Sequence, residues 1–121
     1  MSEAKRPSNG GESLTQLLAA LAESQCRRVV SHFLHDDDGR ATLEEVAAAV
    51  AAMEPRLDES TVAVTLHHTT LPKLAAVGVV TYDPESRWVR YEGETLDDDA
   101  HALVVEAATL ESARGNSPVG A

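Results

Sequence analysis

Apolar residues recur along this chain at helical spacing almost throughout. They give way to strand-like runs only between Val79 and Tyr91. Ser13 and Gln16 have capping-box spacing, and Leu14, Leu17, Leu18 and Leu21 follow at i, i+3, i+4 and i+7. Ser24 is placed to cap a second helix with Cys26, Val29, Val30, Phe33 and Leu34 inward, and Asp36-Asp37-Asp38-Gly39 ends it as a loop. Thr42 and Glu45 form another capping box before Leu43, Val46, Ala47 and Val50, and Pro55 closes that helix. Asp58 or Ser60 caps a longer helix with Val62, Leu66, Leu74 and Val77 on one side. Pro72 lies inside it, removes a backbone donor, and predicts a bend or a split around His68 to Leu71. That bend either aims the N-terminal half outward or is a tolerated kink.

Gly78 stands just past the last apolar position, where a left-handed exit is needed. Val79 to Tyr82 and Arg87 to Tyr91 are rich in β-branched and aromatic residues, with Asp83-Pro84-Glu85-Ser86 as the turn of a hairpin. Asp97 opens a last helix. Leu96, Ala100, Leu103, Ala107 and Leu110 alternate there at steps of four and three, with Val104 widening the seam. Such a short polar helix is marginal alone. It either packs back on the domain or pairs with its own copy, and we take the seam as a dimerisation surface.

The order predicts a mainly α chain with a small β-hairpin, a winged helix-turn-helix with an extra C-terminal helix. Residues 1–12 read as a flexible tail, 13–92 as the winged domain, 93–113 as the dimerisation helix and 114–121 as a second tail.

At 121 residues the chain has room for a single core, built mostly from Leu, Val and Ala because aromatics make up only 3%. No apolar run is long enough to span a bilayer and the N-terminus has no signal-peptide core, so a cytoplasmic protein is expected. Cys26 is the only cysteine, which excludes an internal disulfide. No catalytic set is visible, so an enzyme is not expected, and no cofactor is called for.

The formal net charge is −10, an obstacle to binding a polyanion. The charge is uneven: residues 23–91 hold seven basic and eleven acidic residues, and residues 92–121 one basic and seven acidic. The excess of Asp and Glu, with only Lys5 and Lys73 as lysines, is a halophilic composition. In roughly molar salt the Debye length falls to about 3 Å, and contacts at close range then decide binding.

The segments CRRVVSHFL, TLEEVAAAVAAME and TVAVTLHHTTLPKLAAVGVVTYDPESRWVR resemble the haloarchaeal family of short winged-helix, ArsR-like proteins, in which RRRxVLxxL and LHHxHLPKLxxxGLVxYD recur. The resemblance covers roughly residues 20–92. It implies a winged-helix fold and a transcriptional role. Thr70 stands where the family pattern tends to have His, at an exposed or semi-exposed polar position, and Val79 where it has Leu.

In a helix-turn-helix the second helix enters the major groove. Thr61, Thr65, His68 and Thr69 lie away from the apolar stripe, as groove contacts or as solvated polar positions. The helix N-terminus also suits a phosphate. Lys73, Arg87 and Arg90 are further candidates for DNA, with Arg27, Arg28 and Arg40 as weaker ones that also suit pairing with carboxylates. Strand alternation sets Arg87 and Val89 on one face, Trp88 and Arg90 on the other. The arginines either touch phosphates or protect an edge strand. Trp88 reads as a packing anchor against the C-terminal helix in preference to a stacking platform for bases. His32, His35, His67 and His68 do not complete a metal set from sequence, and Cys26 lies on an apolar stripe where thiols are inert. The expectation is a sequence-specific, double-stranded DNA-binding transcription regulator, a homodimer working in high salt, with no membrane partner. The alternatives are a protein-interaction module that has lost DNA binding and a metal-responsive repressor.

Overall fold

The computed structural model describes residues 10–115. The chain is mainly helical with a small three-stranded antiparallel sheet. Its elements run α1 (Gly10–Leu21), α2 (Ser24–Leu34), β1 (Arg40–Thr42), α3 (Leu43–Met53) and α4 (Glu59–Thr65). A π-helical turn (Leu66–Thr70), α5 (Leu71–Ala76), β2 (Val80–Asp83), β3 (Trp88–Tyr91), a 3₁₀ turn (Gly93–Thr95) and α6 (Asp98–Gly115) follow. Residues 1–9 and 116–121 of the expected tails lie outside the described residues. Residues 10–12 belong to α1, so Ser13 sits inside that helix and is not its cap. Nor does Ser24 cap α2: Glu23 holds that position without a side-chain bond.

Other local signals appear as expected. Thr42 and Glu45 close a reciprocal capping box at α3, and Asp58 accepts from the Thr61 amide at the start of α4. Asp97 accepts from the Ala100 amide at 2.9 Å and so caps α6. Gly78 takes φ +81°, Val79 N–H bonds Leu74 C=O, and Gly78 N–H bonds Ala75 C=O, a Schellman exit with Val79 and Leu74 both buried. The Pro72 bend is a π turn: Leu71 N–H bonds back to Leu66 C=O, five residues earlier. In a straight α-helix the proline ring would meet the carbonyl of His68, and the extra residue in this turn moves it aside.

The sheet order is β1–β3–β2. Strand β1 is the element that hydrophobic patterning does not reveal, being three residues long and absorbed into the loop before a helix cap. It makes β3 a central strand, not an edge. Ala41, Val80 and Val89 turn inward, onto a core with Val29, Val30, Val46, Val62, Leu66 and Leu74.

Helix α6 packs back on the domain. Its deepest line is Val104, Ala108 and Glu111, one position round from the expected seam. Leu96, Ala100, Leu103 and Ala107 are half-buried against the chain's own core, and only Leu110, at 59% exposure, faces out fully. The seam therefore is not a free dimerisation stripe, because burying Val104 and Ala108 against α2 turns most of it sideways. Glu111 accompanies them inward because Arg27 at 2.8 Å and Arg28 at 3.4 Å meet its carboxylate. Ser31 and Ser112 share a hydrogen bond of 2.6 Å across the same contact.

Candidate nucleic-acid interface

Helix α4 buries Val62 and leaves the opposite side open. Thr61, His68 and Thr69 are exposed and Thr65 is half-buried, so the residues picked by periodicity do share an outward side. Thr65 Oγ1 donates to the carbonyl of Thr61 at 3.1 Å, which fixes its rotamer and leaves its methyl for contact. Val64 joins this side at 60% exposure. It was missed because a lone valine opposite a valine–leucine stripe adds nothing to helical periodicity. An exposed apolar residue between threonines suits a thymine methyl.

The helix N-terminus is already occupied. Asp58 accepts from the Thr61 amide at 3.2 Å and from the Ser60 hydroxyl at 2.5 Å. These bonds hold its carboxyl below the usual carboxylate range. A phosphate there would compete with the Asp58 carboxylate for the donors of the first turn.

Thr70 is buried at 1% exposure, so the departure from the family pattern lies in the core and not at a polar surface position. His67 is also turned in: its Nδ1 lies 2.7 Å from the Tyr82 hydroxyl, and the two rings meet edge to face. That contact ties the π turn to the hairpin. His68 stands free of it on the outer side. Among the described residues, no group of three or more His, Cys, Asp and Glu is placed to hold a metal ion. Cys26 is fully buried, and burial pushes its thiol up to about 11.

Two of the expected cations are spent. Lys73 pairs with Glu23, which raises the Lys73 pKa. Arg87 donates to Glu44 at 2.6 Å. Arg87 lies before β3 at φ +66°, so strand alternation does not reach it and it does not share the inward face of Val89. Arg27 and Arg28 hold Glu111, and Arg56 holds Glu54 at 3.0 Å. Among the described lysine and arginine side chains, Arg40 and Arg90 are the ones without an ion pair.

Arg40 and Arg90 are direct cross-strand partners on the open face of the sheet. Trp88 shares that face, 42% exposed, with the Arg40 guanidinium 4.5 Å from its ring centre. Trp88 is therefore not packed on α6; α6 lies against α2, and among the described residues no element covers the outer face of β3. Edge protection does not explain Arg90 either, because β3 is flanked on both sides.

Residues 18–90 match a described family, Domain of unknown function (DUF7344). No curated protein and no solved structure matches the chain. No helix among the described residues is long and apolar enough to cross a membrane.

Proposed function

The chain belongs to the DUF7344 family, whose matched segment runs from α1 to the last strand, and from that premise we propose that it is a winged helix-turn-helix regulator binding double-stranded DNA. Helix α3, the short link through Pro55, and α4 form the helix-turn-helix, and β2 and β3 form the wing. Three features support this: the element order, the β1–β3–β2 sheet, and the resemblance of residues 20–92 to haloarchaeal winged-helix, ArsR-like proteins. The observation that carries the reading is the open side of α4. It is mixed in character, with Thr61, Val64 and Thr65 on α4, His68 on the π turn that continues it, and exposed Glu59 at its N-terminal end, inside an envelope of net charge −10. Hydroxyls and methyls of this kind read base edges without needing long-range attraction. Working salt near molar screens the acidic remainder.

The pairing of Lys73 with Glu23 and of Arg87 with Glu44 leaves few free cations for the duplex backbone. It also favours a second reading, a protein-interaction module on the same fold, because a binder that spends its cations internally gives up phosphate affinity. A gel-shift titration in about 2 M KCl against promoter fragments separates them. The regulator reading expects a sequence-selective shift, lost in the double variant Thr65→Glu, His68→Glu, whose exposed positions leave the thermal midpoint nearly unchanged. A shift that survives this variant removes α4 as the reading element; no shift with any genomic fragment favours the protein module.

As a homodimer, the regulator would use the exposed leucines of α1 and α6. Leu14, Leu18 and Leu110 are 38%, 48% and 59% exposed. Leu18 and Leu110, with Leu103 and Ala107, line a cleft of about 970 Å³ between the two helices. A second copy placed about a two-fold axis would cover it and present two α4 helices to one duplex.

A further inference from the structure

Among the described lysine and arginine side chains, the two without an ion pair, Arg40 and Arg90, lie on the open face of the sheet. Arg40 and Arg90 stand directly opposite in the β1–β3 register, and like charges so placed destabilise a sheet. No carboxylate forms an ion pair with either, although such pairs clamp the other described lysine and arginine side chains. Asp83 and Glu92 line the face with the two arginines, and Asp36, Asp37, Asp38 and Glu94 line a cleft on their other flank, none of them within ion-pair distance. Asp83 accepts from the Glu85 amide at 3.1 Å and the Ser86 hydroxyl at 2.9 Å, holding the turn. Glu92 accepts from the Thr81 hydroxyl at 3.5 Å. An anion arriving from outside relieves the repulsion that folding leaves in place.

Beside the arginine pair lies the indole of Trp88, 42% exposed, with the Arg40 guanidinium 4.5 Å from its ring centre. Exposed aromatic rings flanked by guanidinium groups on a sheet surface are what unpaired bases stack on, and stacking is tolerant of sequence. Bases inside a duplex are stacked on one another and unavailable to such a ring.

We propose that this face is a second nucleic-acid contact, which holds an unpaired DNA strand by stacking a base on Trp88 and taking its phosphates on Arg40 and Arg90. The site is separate from the side of α4 and does not depend on that side reading a duplex. Trp88 is the only tryptophan of the chain, so its emission reports on this face directly. The full chain is titrated with a twelve-nucleotide oligo(dT), and with a duplex of equal length, in the lowest salt that preserves the native circular dichroism spectrum. A saturable quench by the single strand is expected, weakening as salt rises. Arg40→Ala with Arg90→Ala should raise the midpoint about tenfold or more. Trp88→Ala, followed by anisotropy of a labelled strand, should weaken binding by about tenfold. Thr65→Glu with His68→Glu should leave the quench within twofold, which keeps this test apart from that of the duplex reading. Emission indifferent to the single strand overturns the proposal. So does an equal response to strand and duplex, which reduces the face to a backbone contact, or a midpoint unmoved by loss of both arginines in a natively folded variant.

Discussion

Glu111 joins α6 to α2 across a sequence separation of 84 residues from Arg27. Its side chain is 9% exposed and those of Arg27 and Arg28 are 18% and 16%, so the cluster is mostly withdrawn from water. Removing Glu111 leaves Arg27 with only the Leu21 carbonyl and Arg28 with only Glu54 at 3.7 Å, at a cost of up to about 3 kcal/mol. We therefore expect Glu111→Ala to lower the urea-unfolding midpoint clearly, and Glu111→Gln, which keeps volume and one acceptor, to lower it less. Equal midpoints for wild type and Glu111→Ala would assign the cluster the small value of a surface pair. The pairing was only half legible in the sequence. Arginines on an acidic chain favour carboxylate partners, but Arg27 and Arg28 have acids much nearer in sequence than Glu111. Only the docking of α6 selects the partner.

At the scale of elements, most local chemistry was legible, the Ser13 and Ser24 caps excepted, and long-range placement was not. The Thr42–Glu45 box, the Asp58 cap, the Pro72 bend and the Gly78 exit each follow from a few neighbouring residues. Strand β1 exists only because Ala41 and its neighbours meet β3, and nothing in Arg40-Ala41-Thr42 announces that pairing. The seam of Leu96, Ala100, Leu103, Ala107 and Leu110, widened by Val104, lies one residue from the buried line of Val104, Ala108 and Glu111, because Leu110 looks more apolar than Glu111. On an α-helix that step is about 100° of rotation. The expectation that Trp88 anchors on the C-terminal helix fails because alternation separates two faces without saying which is covered. Gly78 gives the element-scale prediction. Gly78→Ala places an L-residue at φ +81° with its Cβ 3.4 Å from Leu96 Cδ2, whereas Gly39→Ala, at φ +71°, meets nothing within 4 Å. Both pay the left-handed cost of about 1–2 kcal/mol. Thermal melts should rank Gly78→Ala below Gly39→Ala, because the Schellman exit also orients the hairpin against Leu96. The reverse order would show that the exit tolerates a side chain better than the acidic loop does.

At the scale of the whole molecule, acidity and assembly bear on each other. A chain at −10 repels its own copies in dilute salt and approaches them freely near molar salt. Apolar contact between copies then has to supply the binding, and the α1–α6 face with Leu14, Leu18 and Leu110 is where large apolar side chains reach solvent on neighbouring helices. The choice of variant matters here. Leu103 is half-buried against the core, so Leu103→Glu would confound unfolding with dissociation. Leu18→Glu combined with Leu110→Glu alters positions that are already open in the single chain. Sedimentation in about 2 M KCl should give the wild type twice the mass of this double variant, with both showing the same helical spectrum. The double variant should also lose most of its affinity for a two-half-site promoter while keeping that for one half-site. A wild type that sediments as a single chain at every concentration would leave the duplex reading standing on α4 alone, and would return the α1–α6 cleft to an unexplained apolar surface.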